Sequence, residues 1–294
     1  MVASKFNEAK TEIRRIFKEN PSDIFKQVEI SNLLDTYREP WSLPKSLTGP
    51  SFAKRLVESK IIREHVFPFP ARKEKRYAKL KVPMLEVLQS IKANSYFTHA
   101  FAMHTHKISK QIINEVYLNF EQPLHQRNGI LEQKNIDLAF RAKPRCTQNI
   151  VECENYRLIM LNGMFTGMLG VETRTTNPGF SDAASVQVTD LERTLIDITV
   201  RPQYSGGVQN VLDAFILARD CIDIDKLSKY LSELNYVYPY HQALGWYLSQ
   251  SGYTDDQLAC FRQRPRNHRF YLTHQIQKPV LDEHWNVFYP DFLK

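Results

Sequence analysis

Eleven basic residues crowd into residues 41–81: Lys45, Lys54, Arg55, Lys60, Arg63, Arg72, Lys73, Lys75, Arg76, Lys79 and Lys81. The same stretch holds three acids, Glu58, Glu64 and Glu74. Its local excess is therefore +8, and the rest of a chain whose formal net charge is +7 carries −1. Lysine and arginine rarely enter a core unpaired, so this segment has to fold as the charged surface of a module whose apolar residues are spaced between the bases. A concentrated basic patch of this kind is the electrostatic footprint of a nucleic-acid-binding surface. A merely solvated face is the alternative.

The flanking pattern supplies such a module. Phe6, Ala9, Ile13, Ile16 and Phe17 recur at helical spacing, so residues 5–19 read as an amphipathic helix, which Asn20-Pro21-Ser22 stops. Val28, Ile30, Leu33 and Leu34 predict a second, short helix. Residues 37–50, with three prolines and a glycine, predict a loop. Residues 51–60 fit a third helix, with Phe52, Leu56 and Val57 inward and Lys54 and Arg55 outward. Residues 61–67 then read as a strand, 68–74 as a turn and 75–82 as a returning strand.

Three helices followed by a basic-tipped hairpin is the order of a winged helix-turn-helix. In that geometry the third helix enters the major groove and the hairpin lies on the backbone or in the minor groove. The residues expected at double-stranded DNA are Lys45, Ser51, Lys54, Arg55, Arg63, Arg72, Lys73, Lys75, Arg76 and Lys79, with the last bases neutralising phosphates. Some modules of this shape dock proteins instead, and the wing charge argues against that use.

At 294 residues the chain has room for this module, expected over residues 1–82, and a larger domain over 83–294. Residues 83–92 predict a linking helix, 96–105 a strand running into a helix, and 115–120 a strand. Residues 136–140 form another short apolar-rich run. Residues 158–171 are the most apolar run; too short to span a bilayer, they read as two strands and a turn. After a last strand at 186–188, Thr189 and Glu192 match a capping box opening a helix. Further helices are expected from Gly206-Gly207 and over 225–234, 239–251 and 254–262. The fold class is thus α+β, with the strands first and a helical C-terminal part.

Residues 1–8 lack the apolar stretch of a signal peptide, and the four cysteines are scattered without a paired spacing. Both point to a cytoplasmic protein with reduced thiols, no structural metal and no membrane span. His99, His104 and His106 sit five, seven and two apart, which does not place metal ligands on one helix face. Asp137 with Glu152 and Glu154 faintly matches a metal-dependent nuclease but lacks its lysine. No phosphate-binding loop or nucleophile elbow is present, so no catalytic residue and no cofactor are expected.

One decamer carries a resemblance. Val188-Thr189-Asp190-Leu191-Glu192-Arg193-Thr194-Leu195-Ile196-Asp197, followed by Pro202 and Gly206-Gly207, resembles the signature of the AbiEi antitoxins of type IV, abortive-infection toxin–antitoxin pairs. Its signature residues here are Thr189, Glu192, Arg193 and Asp197. Residues 96–104, 165–171 and 244–248 resemble further segments of that family, though Gln242-Ala243 stands where a basic residue is usual. The resemblance implies a repressor that binds inverted repeats in its own promoter. It also implies a C-terminal domain that opposes a nucleotidyltransferase toxin without a stable complex. A solitary regulator or phage-defence accessory lacking a toxin, or a degenerate nuclease, are the alternatives.

Overall fold

The structure, a computed structural model, describes residues 2–110, 114–125, 131–176 and 183–293. The N-terminal part runs α1 (Val2–Glu19), β1 (Ile24–Phe25), α2 (Gln27–Tyr37), α3 (Gly49–Glu58), β2 (Ile62–Phe69) and β3 (Arg72–Lys79). Its strands pair in the order β1-β3-β2, all antiparallel. The apolar stripe expected on α1 is inward, with Phe6, Ile13 and Phe17 buried. These meet Ile30 and Leu34 of α2 and Phe52, Ala53 and Leu56 of α3 around Trp41. Val28 departs from expectation: it points into solvent, 59% exposed, because α2 starts at Gln27 and puts Val28 on its outer face. Pro50 belongs to α3 rather than to the loop, since the first turn has no use for the N–H that proline lacks. The hairpin is tighter than the expected turn over 68–74. Pairing runs as far as Phe69 with Arg72, so only Pro70 and Ala71 turn the chain.

The remaining elements are α4 (Met84–Gln89), β4 (Ser95–Thr98), α5 (Ala100–Thr105), β5 (Glu115–Glu121), α6 (Gln133–Arg141), β6 (Ile150–Cys153), β7 (Tyr156–Gly163), β8 (Val171–Thr175) and β9 (Ser185–Thr189). Then follow α7 (Leu191–Val200), α8 (Val208–Ala218), α9 (Ile224–Leu234), α10 (Tyr240–Gln250), α11 (Ala259–Arg262), β10 (Phe270–Tyr271), β11 (Pro279–Asp282) and β12 (Val287–Pro290). Six strands form one mixed sheet in the order β6-β7-β5-β4-β9-β8. The apolar run at 158–171 is therefore not a hairpin. β7 pairs with β5 and β6, while β8 pairs with β9 at the far edge. Residues 164–170 carry the chain across.

Because side chains alternate along a strand, the sheet has two different faces. Phe97, Val116, Leu118, Leu158, Met160, Val186 and Val188 share one core with Leu85 and Leu88 of α4 and with Phe67, Phe69 and Ala78 of the N-terminal hairpin. The other face is more polar. Tyr96, Thr98, Tyr117, Asn119 and Thr189 lie there, under α7 and the 3-10 turn Pro202–Ser205. The helical layer closes around its own core of Leu195, Ile198, Phe215, Leu244, Trp246 and Trp285.

The chain is α+β, but it does not end in helices. The last helix shrinks to the four residues of α11, and β10, β11 and β12 form a third sheet beyond it. That sheet sets Trp285 against Gly245 of α10, where a Cβ would lie inside the indole ring. Gly245→Ala is accordingly expected to lower stability by about 1–3 kcal/mol, read as a reduced urea midpoint with an unchanged slope.

Candidate nucleic-acid interface

The expected DNA-contacting residues divide by what each touches. Thr48 caps α3, its hydroxyl accepting from the Ser51 backbone N–H at 3.4 Å. With Phe52, Ala53 and Leu56 turned inward, Ser51 and Lys54 face solvent and Arg55 is half-buried beside them. Lys54 approaches Glu58, one turn on, at only 3.9 Å with both side chains exposed. Such a contact contributes little. Lys45, in the preceding loop, is exposed as well.

On the hairpin the strand period sorts the bases. His65, Phe67 and Phe69 of β2 stand opposite Arg76, Glu74 and Arg72 of β3, and this face is laid on the larger domain. Arg76 is consequently 4% exposed. It donates to the Ser90 and Ile91 carbonyls at 3.1 and 2.7 Å, which end α4, and to Glu74 at 3.3 Å. It is a clamp between hairpin and body, with its guanidinium donors taken by these acceptors. Glu74 also accepts from Arg72 at 3.0 Å, and the Arg72 guanidinium lies 4.6 Å over the Phe69 ring. Lys79 is engaged as well. It pairs with Asp23 at 2.6 Å and donates to the Lys18 and Asn20 carbonyls, so it ties the end of α1 to the hairpin.

The opposite face of the hairpin leaves Lys73 and Lys75 in solvent, and Arg63 is exposed too. Lys75 is held by Glu64 at 2.8 Å. Burial pushes the Glu64 carboxyl up, but Lys75 and the Tyr77 hydroxyl more than offset that and hold it below the usual range. Burial and Glu64 together push the Tyr77 phenol up to about 12.

Beside these bases runs a cleft of about 690 Å³ between β3, the start of α2 and the loop after α4. It brings Arg72, Lys73 and Lys75 together with Lys26, Lys92 and Asn149. Sequence reading missed those last three. Lys26 and Lys92 lie outside the basic segment: the pairing of β1 with β3 brings Lys26 to it, and the docking of the hairpin on the body brings Lys92 and Asn149.

The signature residues lie elsewhere, at the junction of the sheet and the helical layer. The capping box is shifted from its expected form. Thr189 ends β9, and the cap of α7 is Asp190, which accepts from the Arg193 N–H at 2.9 Å. Thr189 instead bonds the Thr194 hydroxyl at 2.8 Å. Glu192, buried, accepts from the Asp223 N–H and pairs with Lys226 at 2.7 Å, joining α7 to α9. Arg193 and Asp197 pair at 2.9 Å across one helical turn, as their spacing predicts.

Asp137 lies on α6, bonded by Gln133 and Tyr271, and Glu152 on β6 pairs with Arg157. Among the described residues no three His, Cys, Asp or Glu side chains gather as around a metal ion. His106 meets the Thr189 carbonyl at 2.7 Å, and His99 is buried. The four cysteines are free thiols, and no helix of the described residues is long and apolar enough to cross a membrane.

The sequence matches no protein-family model, and no curated protein matches it. Among solved structures, RV2827C from Mycobacterium tuberculosis superposes with a TM-score of 0.58. The two are 11% identical over 98% of this chain and 92% of that one. The likeness is one of fold, and it spans both the N-terminal module and the body.

Two outcomes follow from the packing. Arg76→Ala leaves the Ser90 and Ile91 carbonyls without this donor and is expected to cost about 2–4 kcal/mol. Lys73→Ala is expected to stay within about 0.5 kcal/mol, and paired denaturant melts separate them. Burial also pushes His99 and His241 down to about 4. Both are neutral when folded, whereas the unfolded chain takes up protons below about pH 6.5. Stability from these groups is fully present above that pH and is lost as the pH falls toward 4. For His99 the loss is on the order of 3 kcal/mol, so the thermal midpoint drops across that window.

Proposed function

We propose that the chain is a DNA-binding transcriptional regulator of the AbiEi antitoxin type, acting in the cytoplasm and without a catalytic step of its own. In this reading residues 1–82 are a winged helix-turn-helix and residues 83–294 the antitoxin domain. The observation that carries the first half is the outward face of α3. Ser51 and Lys54 stand in solvent, with Arg55 half-buried beside them, on a module built helix–strand–helix–helix–strand–strand. The same module leaves Arg63, Lys73 and Lys75 exposed on its hairpin. A helix presented this way fits the major groove, while cations on the hairpin set register on the backbone.

Arg76 and Lys79 drop out of the contact set. Lys45, Ser51, Lys54, Arg55, Arg63, Arg72, Lys73 and Lys75 remain, with the partner being inverted repeats in the protein's own promoter. The second half of the reading rests on the decamer at 188–197 and its resemblance to the antitoxin signature. There the opponent is a nucleotidyltransferase toxin, opposed without a stable complex.

Fluorescence anisotropy on the DNA immediately upstream of the gene, across a salt series, tests the first half. Wild-type protein is expected to prefer this DNA over competitor. Lys54→Ala with Arg55→Ala should erase that preference. Lys73→Ala with Lys75→Ala should weaken all DNA alike and flatten the salt slope by about 0.9 for each phosphate no longer neutralised. If wild-type protein does not distinguish the upstream DNA, the module is a protein-docking one and the regulator reading falls. The second half requires a nucleotidyltransferase gene beside this one and is tested by co-expressing the two: absence of such a gene, or failure to restore growth, removes the antitoxin role and leaves the regulator.

A further inference from the structure

The clamp that docks the hairpin also fixes a lysine of the body beside the hairpin's bases. Arg76 donates to the Ile91 carbonyl at 2.7 Å, one residue before Lys92, and the Ser95 hydroxyl donates to the Lys92 carbonyl at 2.7 Å. The loop between α4 and β4 is thus held from both sides. The Lys92 ammonium lies 5.0 Å over the Phe120 ring while its side chain stays exposed. Lys26 is fixed in its own way. It follows β1, which pairs with Tyr77 and Ala78 of β3, and its backbone N–H donates to Glu29 at 2.6 Å.

These two lysines and Lys73, all exposed, line the cleft of about 690 Å³. Its lining holds six cations and one carboxylate, Glu74. Arg72 and Arg76 share Glu74, and Glu64 holds Lys75. Lys26, Lys73 and Lys92 are left without an ion pair among the described residues. Like charges held in one cleft repel, and a polyanion laid across them removes that repulsion and releases counterions. The lining also limits what the polyanion can be. Its one aromatic ring, Phe120, is covered by Lys92 and the core, so no face is left on which a base could stack. Single-strand binders depend on such faces. What fits is a ridge of phosphates, the sugar–phosphate backbone of a duplex.

We propose that this cleft receives one strand of the DNA backbone, so that the body, through Lys92, is part of the DNA interface. The partner rests on the DNA-binding reading of the N-terminal module. What is added is that the footprint continues past that module onto the larger domain. Lys26 and Lys92 join the contact set although neither belongs to the basic segment. The contact reads no sequence, since phosphate contacts position a protein without choosing bases. The outer face of α3 supplies the choice, while the cleft supplies affinity and fixes how the body lies along the duplex.

Anisotropy titrations of the full chain on the upstream duplex and on an unrelated duplex of equal length, each across a salt series, decide it. Lys92→Ala is expected to weaken binding to both duplexes alike, by roughly ten-fold at low salt, and to flatten the salt slope by about 0.9. Lys26→Ala with Lys92→Ala should flatten it by about 1.8. Lys278→Ala removes an exposed lysine that does not line the cleft and should change neither. Lys92 is exposed, so its variant is expected to keep the fold, checked by its thermal midpoint. Wild-type binding that Lys92→Ala weakens no more than Lys278→Ala does overturns this inference and leaves the regulator reading. A loss confined to the upstream duplex makes Lys92 a base contact and overturns the backbone role. Equal wild-type binding to both duplexes removes the regulator reading, and weakening by Lys92→Ala then still supports the cleft. No binding of either duplex by wild type overturns both.

Discussion

The guanidinium of Arg193 joins three separate pieces of chain. From α7 it reaches Asp197 on its own helix, the Leu169 carbonyl and Thr166 in the crossover, and the Tyr96 hydroxyl on β4. At 4% exposure it has almost no water to fall back on. Burial alone would push its pKa down, and Asp197 more than reverses that, so it stays charged. A buried charge is tolerated only when its donors are satisfied, and here they are satisfied by helix, crossover and sheet together. Gly170 shows how closely these pieces approach. It has φ +67, and a Cβ there would run into the Arg193 and Tyr230 side chains. The Glu121 carboxylate completes the crossover by accepting from the Thr166, Gly167 and Met168 N–H groups.

Helices and strands with a strong period were legible in the sequence. α1, α3, β5 and β9 fall within a few residues of where spacing puts them, because an apolar stripe names its own buried face. Pairing partners were not legible. β7 and β8 follow each other across a glycine-containing turn and look like a hairpin, yet they end on different parts of the sheet. A strand's neighbour is chosen by packing across the whole sheet, and nothing within residues 158–171 encodes it. The C-terminal sheet escaped for a related reason. β10 has two residues and β11 begins at a proline, so neither shows the alternation that marks a strand. Their order depends on Trp285 and Val287 reaching the helical core.

Charge was legible in amount and not in use. The basic segment reads as one patch, but a period of two turns successive bases to opposite sides of a strand. Lys75 faces solvent while Arg76, its neighbour, is enclosed under the body. The distinction follows from Phe67 and Phe69, which bury their side of the hairpin. Once that side is chosen, Arg76 must find acceptors, and the carbonyls ending α4 supply them. The signature decamer behaves the same way. Its spacing correctly predicted the Arg193–Asp197 pair, which is local, and misplaced the role of Glu192, whose partners Asp223 and Lys226 lie some thirty residues on.

The central sheet therefore serves both layers through single residues. In β4, Phe97 packs in the core shared with the hairpin, while Tyr96 and Thr98 on either side bond Arg193 and Asp197. All four residues of that strand are buried, so it has no solvent face on which to absorb change. Interiors packed to this density transmit displacement rather than dissipate it. The hairpin rests on one side of β4, and the helical layer rests on the other. Neither surface can be rebuilt without the strand between them, which ties the geometry of the N-terminal module to that of the body.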